Sequence, residues 1–493
     1  MADADSTNRS AGIAPAELAE LLHGRLVSPG AGTVRITDVA FDSRAPMQRG
    51  TLFAAVRGER VDGHDFVAAA VDAGAGAVLV DHVIPGLDVP QLVVPEVRAA
   101  MGPAAQAAHG WPGTRLALVG VTGTNGKTTF VSLLAQLLNR LDVRAEPVGT
   151  LTGERTTPEG PELAKHLREA ADTGIEAVAM EVSSHALALH RVDGLVFDVA
   201  VFTNLGRDHL DFHASQEAYF AAKARLFEPG RTRHALVNVD DVHGRLLRDA
   251  AGELPVTEYS PADLDDVRLS ARGSTFVWRG REVAVGLPGR VNLLNVLATL
   301  ETAVLLGHSE DDVARAAAGL TGPPGRFQVV DLGPDASDAP TVIVDYAHSP
   351  DALAGVLDSA RELLGDDERL TVVFGCGGDR DRDKRAEMGR AAALRADRVI
   401  ITSDNPRGED PLAIMEAAAQ GSTAVETVVP ELIVDRREAI SAALADPDAC
   451  SMILIAGKGH ERTQTFADRV EDFDDVEVAA AEWARLRGVG DDR

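Results

Sequence analysis

The sequence predicts an α/β protein in three domains, spanning 13–113, 114–326 and 327–493. Three observations carry this. A chain of 493 residues exceeds what one hydrophobic core supports. Apolar, β-type runs alternate with Ala-rich helical stretches along almost its whole length. Two Gly- and Pro-rich breaks, "HGWPGTR" (109–115) and "GLTGPPGR" (319–326), interrupt that alternation where neither a helix nor a central strand tolerates them.

In the first segment the runs "TLFAAV", "AGAVLV" and "PQLVVP" define a small N-terminal α/β domain. The second repeats the pattern with "LALVGV", "AVAMEV", "FDVAVFTN" and "ALVNV". The third repeats strand and helix four times, through "TVIVDYAH", "LTVVFGCGG", "RVIITSDNPR" and "MILIAGKGHE". Each of these last strands runs apolar and then breaks into polar, Gly-rich residues, the pattern of a Rossmann-like sheet whose carboxyl ends share one ligand-binding edge.

Composition narrows the function. A formal charge of -28 disfavours nucleic acid or an anionic membrane as partner, while leaving room for anionic small molecules in a local cationic pocket. With only Cys376 and Cys450, no disulfide framework is needed and a reducing compartment fits. "MADADSTNRSAG" lacks the features of a secretory signal, and no run of 18 apolar residues occurs. The expectation is a cytoplasmic protein without membrane insertion.

The stretch "LALVGVTGTNGKTTFVSLLAQLLNRL" reads as strand, Gly-rich loop and helix, with Phe130, Leu133, Leu134, Leu137, Leu138 and Leu141 on one helical face. In such a P-loop, backbone N–H groups from Gly123, Thr124, Asn125, Gly126 and Thr129 face phosphate oxygens. Lys127 neutralises β/γ charge, and the Thr128 hydroxyl suits Mg²⁺. Val121 stands where the strict pattern has Gly, with Gly120 and Gly123 beside it. The central domain is therefore expected to be a P-loop mononucleotide-binding domain.

Further along, "AVAMEVSSHALALHRVDG" ends a strand at Glu181 and then offers Ser183, Ser184, His185 and Arg191. "FDVAVFTNLGRDHLDFH" ends another at Thr203-Asn204 before Asp208, His209, Asp211 and His213. In a parallel sheet both ends fall on the phosphate-loop edge, within reach of a metal that bridges nucleotide phosphates. Taken singly, Glu181 reads first as a surface carboxylate or N-cap partner, and each His as structural. "EAYFAAKARLFEPG" reads as an amphipathic helix with Lys223 on its solvated face. Likewise "SDNPR" reads as a strand-to-helix turn, with Arg407 salt-bridged to a neighbouring acid such as Glu409.

Together these residues resemble the Mur ligases, ATP-dependent amide-forming enzymes of peptidoglycan precursor synthesis. The resemblance runs from "DVAFDSRAPMQRGTLFAAVRGERVDGHDF" through "RTTPEGPEL", "AYFAAKARLF", "VDYAHSPDAL" and "VFGCGGDRDRDKR" to "SDNPR" and "AGKGHER". It implies the family's three-domain architecture. The implied activity adds meso-2,6-diaminopimelate to UDP-N-acetylmuramoyl-L-alanyl-D-glutamate through an acyl phosphate, with ATP and Mg²⁺, in a monomeric enzyme. It also implies roles for matching residues. Lys223 would be carbamylated by CO₂ (N6-carboxylysine) and, with Thr128, Glu181 and His209, would form the metal environment. Asn292 and Asn295, which read equally as helix-capping residues, match adenine contacts, while Asp345 and His348 approach the phosphates. Ser43, Thr156, Thr157, Ser183 and Arg191 match the muramoyl-dipeptide site.

For the amino acid, the resemblance implies that Arg407 grips the distal carboxylate of diaminopimelate, a task suited to a planar guanidinium. Asp404, Asn405, Pro406, Arg380, Gly457 and Glu461 would complete that pocket, with Glu461 facing the distal ammonium. At 189 the chain has Leu where some relatives carry a polar residue, and "NLGRDHLDFH" departs from the commoner Ser-Gln before Asp-His. Two rivals remain on sequence. One is folylpolyglutamate synthase, against which "DSR…GHDF" and "DNPR" speak; the other is a regulatory P-loop NTPase, for which four ligand-ready strand ends are superfluous.

Overall fold

The computed structural model describes residues 12–27, 34–58, 61–209, 212–333, 339–425, 428–445 and 451–488. Asp211 and Cys450 lie outside them. Among the described residues three larger sheets follow one another along the chain, with a three-stranded sheet and a hairpin besides. The first joins β1 (Arg25–Val27), β2 (Asp38–Ala40), β3 (Thr51–Ala54), β4 (Ala77–Val80) and β5 (Gln91–Val93) in the order β1-β5-β4-β3-β2. Only β1 runs antiparallel to its neighbour. β3 and β4 are buried at every position, which explains why they read as continuous apolar runs rather than alternating ones.

The central sheet contains β6 (Ala117–Thr122), β7 (Ala145–Val148), β8 (Ala177–Glu181), β9 (Val199–Phe202), β10 (Ala235–Asn238) and β11 (Val256–Tyr259). Their order is β11-β10-β9-β6-β8-β7, and every pairing is parallel. β6 thus lies between β8 and β9, at the point where the order of succession reverses. Ligands of open α/β sheets settle in the crevice at such a point. Helix Lys127–Arg140 leaves β6 and buries Phe130, Leu133, Leu134, Leu137 and Leu138 in one of the two cores that sandwich the sheet.

An antiparallel sheet of β12 (Leu264–Ser270), β13 (Gly273–Trp278) and β14 (Arg281–Val285) follows. None of the apolar runs noted in the sequence announces it. Its strands carry charges on the outer face, while Phe276 and Trp278 pack into the central core. The indole N–H of buried Trp278 donates to Glu301 Oε1 at 2.8 Å.

The third sheet joins β15 (Gln328–Val329), β16 (Thr341–Asp345), β17 (Leu370–Phe374), β18 (Arg398–Ile401), β19 (Glu431–Leu432) and β20 (Met452–Ala456). Its order is β15-β16-β20-β17-β18-β19, parallel except at β15. The four long strands match the four apolar runs and end at Asp345, Phe374, Ile401 and Ala456. A hairpin, β21 (Thr463–Thr465) and β22 (Val470–Asp472), completes the strands. Among the described residues no helix is long and apolar enough to cross a membrane.

Candidate active site

The loop between β6 and its helix has a conformation that side chains disfavour. Gly123 and Gly126 have φ of 151° and 91°. A Cβ at Gly123 would lie 1.9 Å from Thr203 Oγ1, and one at Gly126 would lie 2.5 Å from Asn295 Oδ1. These glycines let the backbone turn against β9 and the helix Arg290–Leu305. Lys127 folds back over the loop, donating to the carbonyls of Gly123 (2.9 Å) and Thr124 (2.8 Å). Burial lowers its pKa, with the charges of Glu181 and Asp208 opposing the shift.

Around this loop lies a cavity of about 380 Å³. The loop lines it from Thr124 to Thr129, the end of β8 contributes Glu181, and the segments that follow β8 and β9 contribute Ser183, Asn204 and His209. Glu181, only 1% exposed, accepts from Thr128 Oγ1 at 3.0 Å and from Thr150 N at 2.9 Å. Desolvation by the cavity walls and the neighbouring His185, Lys127 and Lys223 charges lower His209 to about 4 although its side chain is still 43% exposed, which favours the neutral ring with a lone pair for a metal. Asn292 and Asn295 line the cavity from the first turns of their helix. Neither caps that helix: their amides donate to the carbonyls of Pro288 and Val291, four residues back, at 2.9 Å each.

Lys223 overturns the reading from helical spacing. It is 1% exposed and lines this cavity. The helix Gln216–Ala224 turns Tyr219, Ala222 and Lys223 inward together. Lys223 Nζ donates to Gly123 O at 2.7 Å and sits 4.4 Å from the centre of the Tyr219 ring, with no ion pair among the described residues. Burial and the neighbouring Lys127 charge push its pKa far down, against Asp208.

The third domain closes the cavity. Asp345, at the end of β16, accepts from the backbone N–H of Phe327 (2.6 Å) and of Ala347 (2.7 Å). Burial raises its pKa, opposed by Arg326. His348 Nδ1 lies 2.9 Å from Tyr346 O, and burial lowers its pKa. Arg326, which the sequence showed only as the end of a Gly-Pro linker, donates to Thr128 Oγ1 at 3.2 Å and stacks 4.3 Å over Tyr346.

A second cavity of about 240 Å³ shares Asp208, His209, Tyr346 and His348 with the first. Its far wall brings together Arg380, Asp404, Asn405, Arg407, Gly457 and Glu461. Arg407 is not paired with Glu409. That carboxylate is taken by Arg385 (2.8 Å), by Arg382 (3.1 Å) and by the backbone N–H of Asp379. The Arg407 guanidinium donates to Gly378 O at 2.8 Å and has no acidic partner among the described residues. Its φ of 50° and the 3.0 Å bond from its backbone N–H to Thr465 O hold the turn that directs it inward.

Asn405 bridges the wall: its amide donates to Glu461 Oε2 at 2.7 Å, and its oxygen accepts from Thr465 N at 2.9 Å. Gly457 is required here, since a Cβ would lie 2.5 Å from Asp404 Oδ2. Pro406 contributes backbone: its carbonyl would lie 1.9 Å from a Cβ on Gly378. Lys384 also lines this cavity, without an ion pair among the described residues. In sequence it disappears into the charge run "DRDRDKR".

The muramoyl-dipeptide residues are divided. Thr156 and Ser183 line the first cavity. Thr157 is fully buried and donates to Glu181 O at 2.9 Å, whereas Arg191 pairs with Glu159 at 2.9 Å; neither lines either cavity. Ser43 lies in a turn of the N-terminal domain, also outside both.

A phosphate-type loop facing, across a domain boundary, a pocket lined by both cations and carboxylates is the layout of a nucleotide-dependent ligase. Comparison with known proteins agrees. The Mur ligase middle domain matches residues 121–303, the Mur ligase glutamate ligase domain 325–459, and the Mur ligase family catalytic domain 35–109. The UDP-N-acetylmuramoyl-L-alanyl-D-glutamate--2,6-diaminopimelate ligase of Streptomyces coelicolor is 41% identical, covering 94% of this chain and 96% of its own. The ligase of the same name from Pseudomonas putida is 40% identical, over 91% and 95%. A solved structure bearing that name superposes with a TM-score of 0.66 at 34% identity, covering 94% of this chain and all of its own. The chain belongs to the Mur ligase family.

Proposed function

We propose that this chain joins meso-2,6-diaminopimelate to UDP-N-acetylmuramoyl-L-alanyl-D-glutamate at the expense of ATP. The observation that carries the reading is the shared wall of the two cavities, where Asp208, His209, Tyr346 and His348 face both. A group activated in the first cavity is thereby within reach of an amine held in the second. The names of the Streptomyces and Pseudomonas relatives support the choice of substrates. An ADP complex of a MurF ligase from Thermotoga maritima, similar in fold at 20% identity and a TM-score of 0.61, is in keeping with nucleotide use.

In this reading the γ-phosphoryl of ATP passes to the D-glutamyl γ-carboxylate. The diaminopimelate amine then attacks the acyl phosphate, and phosphate leaves. Two anions must approach each other, so Lys127 and Arg326 supply the cationic side of the cleft. Asn292 and Asn295 take the adenine end, and Asp345 and His348 approach the phosphates from the third domain. Thr156 and Ser183 receive the dipeptide, with Ser43, Thr157 and Arg191 supporting the rest of that substrate. Thr128, Glu181, His209 and carbamylated Lys223 would hold Mg²⁺, a donor set suited to a hard cation. When bound, Mg²⁺ screens the meeting anions.

The Lys223 environment favours the modification. Its depressed pKa favours the neutral amine, the form that adds CO₂ with formation of an N–C bond and release of one N–H proton. The product is an anion where the metal needs one. In the second cavity Arg407 grips the distal carboxylate, while Asn405 holds Glu461 toward the distal ammonium. Arg380, Asp404, Pro406 and Gly457 shape the remainder.

Phosphate release tests the reading. It is expected to need ATP, the muramoyl dipeptide and diaminopimelate together for full rate. Release that is unchanged when either acceptor is omitted would identify a nucleotide switch instead.

A further inference from the structure

The N-terminal domain carries a group of side chains that the ligase reaction does not use. Among the described residues, His64, Asp81 and His82 place one potential ligand atom each within 4.8 Å of one another. His64 lies in the short helical turn Gly63–Phe66, and Asp81 and His82 follow β4 directly.

The hydrogen bonds around His64 fix its chemistry. Its Nδ1 lies 2.6 Å from Asp62 Oδ1, and its Nε2 accepts from the Asp81 N–H at 3.3 Å. Nδ1 therefore carries the proton and donates to the carboxylate, and the single Nε2 lone pair is held only by the long bond from the Asp81 N–H, which an ion would displace. A carboxylate that orients a histidine in this way is the usual outer partner of a metal-ligating imidazole. Nε2 is also 3.2 Å from Asp81 Oδ1, close to the edge of about 3.3 Å expected between ligands of a tetrahedral zinc ion. The other oxygen, Asp81 Oδ2, is held by Arg57 Nε at 2.9 Å, so Oδ1, which faces His82 Nδ1, is the oxygen an ion would take. His82 Nδ1 lies 2.5 Å from the same Oδ1 on a side chain 58% exposed, and its ring stacks on that of His64 with centroids 4.9 Å apart, so rotation out of this stack turns its nitrogen to an ion shared with His64.

We propose that His64, Asp81 and His82 form a binding site for a zinc-class divalent cation, with solvent as fourth ligand and Asp62 as the orienting partner. Two carboxylates outweigh the single Arg57 guanidinium, so the local charge favours a cation. Nitrogen donors select zinc, cobalt or nickel over the magnesium that the oxygen-rich cleft prefers. The ion would staple the turn after β3 to the end of β4.

The test uses the full chain without an affinity tag, stripped by chelator and held in excess Mg²⁺ to mask the cleft. Zn²⁺ is titrated by calorimetry and Co²⁺ by its visible absorption. The wild type is expected to take one Zn²⁺ and to show the intense bands of tetrahedral Co²⁺. His82→Ala, at an exposed position, is expected to keep its metal-free melting temperature, lose those bands and bind Zn²⁺ at least about tenfold more weakly. Asp62→Asn is expected to weaken binding by about 10–100-fold with both histidines intact. Equal Zn²⁺ affinity in wild type and His82→Ala, or no binding by the wild type, would overturn the proposal.

Discussion

Arg407 illustrates how much one residue's meaning depends on its neighbours. Its sequence context suggests an ion pair with Glu409, but Arg385 and Arg382 already occupy that carboxylate. What remains is a guanidinium held by one backbone carbonyl in a cavity shared with Arg380 and Lys384. Removing one member of a desolvated charge pair costs about 2–5 kcal/mol. Arg407→Ala should therefore raise the KM for diaminopimelate by roughly 30-fold or more, at about 1.4 kcal/mol per tenfold, and barely move the KM for ATP. Steady-state kinetics with each substrate varied in turn checks this; equal effects on both would return Arg407 to a structural role. Lys223 teaches the opposite lesson. Its short helix is apolar on more than one side, so spacing alone does not tell which face is buried, and only tertiary packing turns the lysine inward.

At the scale of elements, the phosphate loop was legible because its demands are local. A strand, a turn that needs glycine and an amphipathic helix all leave marks within a short window. Gly126→Ala would have to hold a φ of 91° and meet Asn295 Oδ1 at 2.5 Å. Loss of ATP-dependent turnover and a lower melting temperature are expected, the latter measured by calorimetry. The β12–β14 sheet was not legible: its strands are charged on one face and recognisable only by the core they cover. Arg326 was hidden for a similar reason, since a linker residue acquires its partner only when two domains meet.

The turn bearing Arg407 rests on Glu409, whose hydrogen bonds to Arg385 and to the Asp379 N–H hold its pKa at about 2, below the ordinary 4.5. A depressed carboxylate stabilises the fold above its unfolded pKa and loses that contribution as pH falls through the folded one. Stability should accordingly decline from about pH 4.5 toward 2. Glu409→Gln should flatten part of that decline in acid melts; an unchanged acid profile would contradict the assignment.

For the whole molecule, the sequence displayed the three-sheet plan but not how its parts meet. The formal charge is -28, yet Lys127, Arg326, Arg380, Lys384 and Arg407 collect in two joined cavities. ATP and the muramoyl dipeptide are anions drawn to these cations, whereas diaminopimelate is a zwitterion, and salt screens such attraction. The KM values for ATP and the muramoyl dipeptide should rise together with ionic strength in initial-rate assays. Across the domain boundary Arg207 pairs with Glu387, and its backbone N–H donates to Asp351 Oδ2 at 2.5 Å. The ion pair is partly exposed and contributes less than about 1 kcal/mol. Arg207→Glu should lower kcat a few-fold, and adding Glu387→Arg should recover it. No gain from the second change would show that the pair does not help closure.

The central claim is that a nucleotide-activated carboxylate and a pocket for a doubly acidic diamine face each other in one cleft. The most direct measurement offers ATP and the muramoyl dipeptide with equal amounts of meso-diaminopimelate and L-lysine, and identifies the product by mass. The account predicts that the diaminopimelate adduct dominates in the wild type and that this preference collapses in Arg407→Ala. A lysine adduct formed as readily by the wild type would contradict it.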